Sequence, residues 1–179
     1  MIKTNTHTTT RPISREQIRL ISTTGIFAAL ITVMTAYVCH IPVPIAGGYL
    51  HFGDSLIYLA ATILPRPYAL AAAAIGGGMA DLLTAPMWTL PTVFIKMLIT
   101  LPFTSKNNRI LKPRNVIAPV FAYFISGTGY YFANTLIFNS EVAFLTSFMA
   151  SAIQSFGSAA AFIAFGAMLD KIRFKTRMM

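Results

Sequence analysis

The chain has 179 residues, 55% of them hydrophobic and only 11% charged. A soluble domain carries about 25% charged residues, so this composition excludes a water-soluble globule and requires a surface turned toward lipid. The net charge of +9 leaves two readings, an anionic partner such as nucleic acid or the Lys/Arg excess that orients membrane proteins, and these predict different placements of charge.

Residues 1–18 are polar and rich in threonine (Thr4, Thr6, Thr8, Thr9, Thr10) and are read as a cytoplasmic tail. The first apolar run, Leu20 to Cys39, exceeds a signal-peptide core, and no small-residue cleavage site follows it. It is expected to remain as a membrane helix. Cys39 is the only cysteine, which excludes an intramolecular disulfide. Further apolar segments fall at about 52–64, 68–83, 89–103, 116–137 and 142–169. The first, fifth and sixth segments can cross a hydrocarbon core of ~30 Å at 1.5 Å per residue. The second, third and fourth are short and broken by Gly, Pro or a charge. A basic cytoplasmic tail, 171–179, closes the chain.

Charge decides the count. Lys3, Arg11, Arg15 and Arg19 precede the first segment, and Arg66 separates the second from the third. Lys106, Arg109, Lys112 and Arg114 lie between the fourth and fifth, and Lys171, Arg173, Lys175 and Arg177 follow the sixth. These are 13 of the 14 cationic residues, while the connections 40–51, 84–88 and 138–141 hold none. Six spans place every cationic connection on one side, the cytoplasm by the positive-inside rule. The predicted fold is an all-α integral membrane protein with six transmembrane helices, residues 19–170, and both termini cytoplasmic. Topology alone accounts for this layout, so nucleic acid loses its motivation as a partner.

Broken segments at membrane depth survive only when buried in protein or lining a wet cavity, and they point to a transporter's binding site. The breaks are Gly47-Gly48, Gly53-Asp54, Gly76-Gly77-Gly78, Asp81, Pro86, Pro91 and Lys96. Lys96, near the middle of the fourth segment, costs ~2.5–3.5 kcal/mol at the bilayer centre and must face the bundle. It is a substrate ligand, the structural partner of Asp81, or a lysine that snorkels toward an interface. Asp54, after Gly53, suits a helix cap, and Asp81 follows the glycine trio; each carboxylate can also contact substrate. Tyr49 and Trp88 fall near the expected outer interface, where aromatic residues are common. Trp88, between Asp81 and Lys96, offers a flat ring for stacking. Asn134 and Gln154 serve either as ligands or as interhelical hydrogen-bond glue. His40 and His51 have no third ligand at metal spacing, so no metal site is expected. No catalytic motif and no P-loop is present. An enzyme is not expected, no cofactor is implied, and any ATP-driven role must borrow its ATPase.

Small residues recur at helix-packing spacing: Gly25 with Ala29, Ala69 with Ala73 and Gly77, Ser151 with Ser155 and Ala159. They serve internal packing or docking against another membrane protein.

Over about residues 20–100, Ile41-Pro42 to Gly48-Tyr49, Phe52-Gly53-Asp54, Ile75-Gly76 to Asp81-Leu82-Leu83 and Trp88 through Ile95-Lys96 occur in that order. This order resembles the S component of an energy-coupling factor (ECF) transporter, in the riboflavin-transporter-like group. The resemblance implies a binding protein in the cell inner (plasma) membrane, open to the outside, whose loop between the first two helices forms a lid. It implies as partners a transmembrane coupling subunit, two ATPase subunits and a small vitamin-like substrate. That substrate is a heterocyclic vitamin, vitamin precursor or modified base, such as riboflavin, a pyridoxine-like vitamer, hydroxymethylpyrimidine or a queuosine precursor. The coupling contact is expected at Gly25, Ala28 and Ala29, where family members usually read AxxxA. The substrate set is expected among Lys96, Asp81, Trp88, Asp54, Tyr49, Asn134 and Gln154. The two carboxylates favour a substrate with an amine or many hydroxyls over an anion. The competing expectations are a stand-alone small transporter or channel, and a structural membrane protein whose Asp and Lys merely pair.

Overall fold

The structure is a computed structural model and describes residues 13–38, 41–43, 48–139 and 143–178. Ser14 opens helix α1 (Arg15–Ala36) with a capping box: Gln17 N donates to Ser14 Oγ at 3.1 Å and Ser14 N to Gln17 Oε1 at 2.9 Å. That box satisfies two amides at the helix start. Helix therefore begins at Arg15, inside the stretch read as tail. Strands β1 (Ile41–Val43) and β2 (Gly48–Leu50) pair antiparallel, with Ile41 opposite Leu50 and Val43 opposite Gly48. The all-helical expectation thus gains a short ribbon between α1 and α2.

Helix α2 (Gly53–Ile63) starts where Gly53 N donates to His51 Nδ1 at 3.0 Å, so the imidazole acts as the cap. After Leu64-Pro65 comes α3 (Arg66–Thr84), with a proline in its first turn, where a missing amide costs nothing. A 3₁₀ turn at Pro86–Trp88 leads into α4 (Thr89–Leu98). Helix α4 stops five residues short of the expected 103 because Pro102 disfavours helical backbone before it, and the chain turns at 99–102. Helices α5 (Pro113–Phe138) and α6 (Ala143–Lys171) follow, and a short α7 (Phe174–Met178) ends the description.

Among the described residues three helical stretches, Arg15–Ala36, Pro113–Ile137 and Ala143–Lys171, are long and apolar enough to cross a membrane. Helices α2 and α4, with 11 and 10 residues, rise only ~15–16 Å each. Leu90, Phe94, Leu136, Phe144 and Met168 are exposed, as a lipid-facing surface requires.

Helix α3 is the hub, packing against α1, α2 and α4. Two of its glycines set those distances. A Cβ on Gly76 would stand 2.7 Å from Ile31 Cβ and 2.9 Å from the Ala28 carbonyl of α1. One on Gly77 would stand 2.8 Å from Lys96 Cγ of α4. Thr32 Oγ1 seals the first contact by donating to Gly76 O at 3.1 Å. Between α2, the turn after α4 and α6, Tyr58 stacks on Phe103 (centroids 4.8 Å) and meets Phe162 edge-on (6.0 Å).

The end of the bundle that carries the basic connections is tied by two residues. Asp170 accepts from Ile110 N at 2.7 Å and Leu111 N at 2.9 Å. Lys175 Nζ donates to Thr62 O at 2.5 Å and Ser105 O at 2.7 Å. Lys175, expected in a solvated tail, is instead 1% exposed. Burial pushes its ammonium down to about 8, against the opposing pull of Asp170.

Candidate functional site

The polar residues that interrupt the apolar runs converge near the ribbon end of α2, α3 and α4. Antiparallel packing of α3 and α4 sets Gly77 against Lys96 and Asp81 against Thr92. The bare Gly77 backbone lets the Lys96 stem lie flat on α3, and its Nζ reaches Asp54 Oδ1 in the first turn of α2 at 2.6 Å. Asp54 is 0% and Lys96 3% exposed. The sequence left Lys96 between ligand and partner of Asp81; its closest carboxylate is Asp54.

Asp81, 6% exposed, accepts from Thr92 Oγ1 at 2.5 Å. Thr92 Oγ1 also lies 3.2 Å from Tyr130 OH on α5. The Tyr130 ring centroid is 5.9 Å from Lys96 Nζ and 6.0 Å from the Trp88 ring, the two rings meeting at 67°. Asp54, Lys96, Tyr130, Thr92 and Asp81 thus form one chain of charge and hydroxyl, buried except at Tyr130, which with half-buried Trp88 brings it toward the surface. A buried ion pair seldom stabilises a fold, since desolvation offsets its attraction. Retention of this one on two short helices suits a site better than a strut. One turn on from Asp54, the buried Tyr58 OH interacts with Ser155 of α6, which packs on α2, and among the described residues Asp54 Oδ2 is buried without a hydrogen-bond partner.

Two of the remaining expected site residues, Gln154 and Asn134, make hydrogen bonds that tie elements together. Gln154 clamps the His51 backbone: His51 N donates to Gln154 Oε1 at 3.1 Å, and Gln154 Nε2 donates to His51 O at 2.6 Å. It tethers the end of the ribbon to α6. Asn134 Nδ2 donates to Ser147 Oγ at 2.8 Å, joining α5 to α6. Tyr49 sits in β2, and its side chain lies outside the described residues. Thr92, Tyr130 and His51 were not singled out as ligands; Thr92, one turn from Lys96, carried the only available signal. Among the described residues no group of three His, Cys, Asp or Glu could hold a metal. A cavity of about 200 Å³ lined by Glu16, Arg19, Ile63, Leu64 and Ser105 lies at the opposite end of α2 and shares no residue with this network.

On α1, Gly25 and Ala29 are exposed, and a Cβ on Gly25 would meet nothing within 4 Å. Ala28 is buried, its carbonyl beside Gly76.

The family model described as "ECF-type riboflavin transporter, S component" matches residues 15–171, from the first residue of α1 to the last of α6. The chain belongs to this S-component family. It is a membrane protein of a transporter family and not of an enzyme family. A protein of Pyrococcus woesei, "Uncharacterized protein in gap 3'region", is similar over 63 residues at 39% identity. That match covers 35% of this S component and 43% of the relative, so the chain spans less than half the length of that curated relative.

Proposed function

We propose that this S component captures a small heterocyclic micronutrient (a vitamin, vitamin precursor or modified base) from outside the cell inner membrane. A transmembrane coupling subunit and two ATPases then drive its import. The observation that carries the reading is the Asp54–Lys96–Tyr130–Thr92–Asp81 chain ending at Trp88. Fixed charge and hydroxyl supply orientation, and aromatic faces supply area for a flat ring. Asp54 Oδ2, buried without a hydrogen-bond partner among the described residues, supports a polar ligand, because buried polar atoms ordinarily find partners.

Six crossings with both termini inside agree with the basic residues 66, 106–114 and 171–177 gathering where Asp170 and Lys175 tie the bundle. The short α2 and α4 then line the wet interior rather than span lipid alone. The ribbon, fastened by Gln154, is the lid. The exposed Gly25 and Ala29 face of α1 suits the coupling subunit; Ala28 faces inward and drops out of that contact.

Uptake of radiolabelled vitamins tests this. Cells with the chain, coupling subunit and ATPases are expected to accumulate one of them, and cells lacking the ATPases are not. Uptake that persists without the ATPases would favour a stand-alone transporter.

A further inference from the structure

The cavity of about 200 Å³ at the far end of α2 combines charge with apolar surface. Leu20, Ile63, Leu64 and Pro65 supply its apolar wall, and Glu16, Arg19 and Ser105 its polar wall. Arg15 precedes Glu16, Arg66 follows Pro65 and Lys106 follows Ser105, and all three cations are exposed. The Ser105 carbonyl accepts from Lys175 Nζ at 2.7 Å. Asp170, the carboxylate that acts on Lys175, is held by the amides of Ile110 and Leu111. Five cations therefore stand at or beside the cavity wall, against one carboxylate in it, Glu16. Arg19 also interacts within the chain, but a guanidinium carries a fork of N–H donors and can meet a phosphate as well. Ile26 and Leu30, at i+3 and i+7 from Thr23 of the cavity wall, share its side of α1 and are exposed. An anion-attracting cavity at the foot of a lipid-facing apolar stripe fits a phosphate esterified to hydrocarbon. Basic pockets at the cytoplasmic ends of membrane helices attract anionic lipid headgroups in this way.

We propose that this cavity binds the headgroup of an anionic phospholipid of the inner leaflet, with Arg19 and its basic neighbours on the phosphate and an acyl chain along Ile26 and Leu30 of α1. The inference rests on the orientation that sets the basic end of the bundle at the cytoplasm. It is independent of the substrate network, with which the cavity shares no residue.

The test titrates the purified full-length chain in detergent with phosphatidylglycerol, phosphatidylcholine and inorganic phosphate, and counts bound molecules by native mass spectrometry. One phosphatidylglycerol per chain, held about tenfold tighter than phosphatidylcholine, is the expected result. Arg19→Gln is expected to weaken phosphatidylglycerol about fivefold. Arg109→Gln, at a basic residue that does not line the cavity, should leave it unchanged. Both arginines are exposed, so neither substitution threatens the fold. Equal retention of the two lipids, or equal weakening by the two variants, would reduce the effect to diffuse surface charge and overturn the proposal. Inorganic phosphate that binds as tightly as the lipid would overturn it too, in favour of a free anion. So would a chain without lipid preference whose complex with the coupling subunit weakens on Arg19→Gln, which assigns the cavity to that partner. Each of these failures leaves the substrate-capture reading standing.

Discussion

Lys96 in the last turn of α4 reaches Asp54 in the first turn of α2 at 2.6 Å, across 42 residues of sequence. The pair joins two helices that scarcely pack on each other. Removing one partner strands a charge in an apolar interior. Lys96→Met is expected to cost about 3–5 kcal/mol, and Asp54→Asn added to it to recover most of that loss. Thermal unfolding of the two variants in detergent checks this. A double variant less stable than the single would show that the pair is not the reason Lys96 matters to the fold.

Gly77 makes room for the Lys96 stem, because a Cβ there would fall 2.8 Å from Lys96 Cγ. Gly77→Val should displace the lysine, cost about 1–3 kcal/mol, and weaken ligand binding more than Gly25→Val, whose Cβ meets nothing within 4 Å. Measured affinities of the two variants give the comparison.

Gln154 holds His51 through two backbone hydrogen bonds. Gln154→Leu removes both and frees the ribbon from α6. Amide exchange in residues 48–55 is expected to rise, and bound ligand to dissociate about tenfold faster. Unchanged exchange would mean that the tether does not restrain the ribbon.

Lys175 is buried against two carbonyls with its proton affinity lowered to about 8 from 10.5. The unfolded chain therefore holds the proton through a range where the folded chain has released it. Stability contributed at this position rises with pH between about 8 and 10.5. Lys175→Met should flatten that rise. Unfolding midpoints of wild type and variant across this range provide the measurement.

Asp54, Asp81, Lys96 and Trp88 were legible in the sequence because charges and broken helices inside apolar runs are costly and need a reason. The pairing was not. Asp81 is nearer Lys96 in sequence, but the antiparallel α3–α4 contact sets Asp81 opposite Thr92 and leaves Lys96 one turn away, opposite Gly77. Thr92 and Tyr130 gave little signal, since neutral polar residues are tolerated throughout membrane helices. Asn134 and Gln154 stood out as polar, yet composition could not tell a ligand from the tethers they form here. The ribbon escaped notice because three-residue strands carrying Pro42 show no period. Lys175 was hidden among Arg173 and Arg177, whose exposure is what a basic tail suggests.

The most direct measurement is native mass spectrometry of the wild-type chain purified in detergent from cells supplied with the vitamin panel. The account predicts one small heterocyclic molecule per chain, released on unfolding and absent from Asp81→Asn. A chain that stays empty whatever it is offered would contradict a substrate-binding role and leave the Asp54–Lys96 pair as a strut.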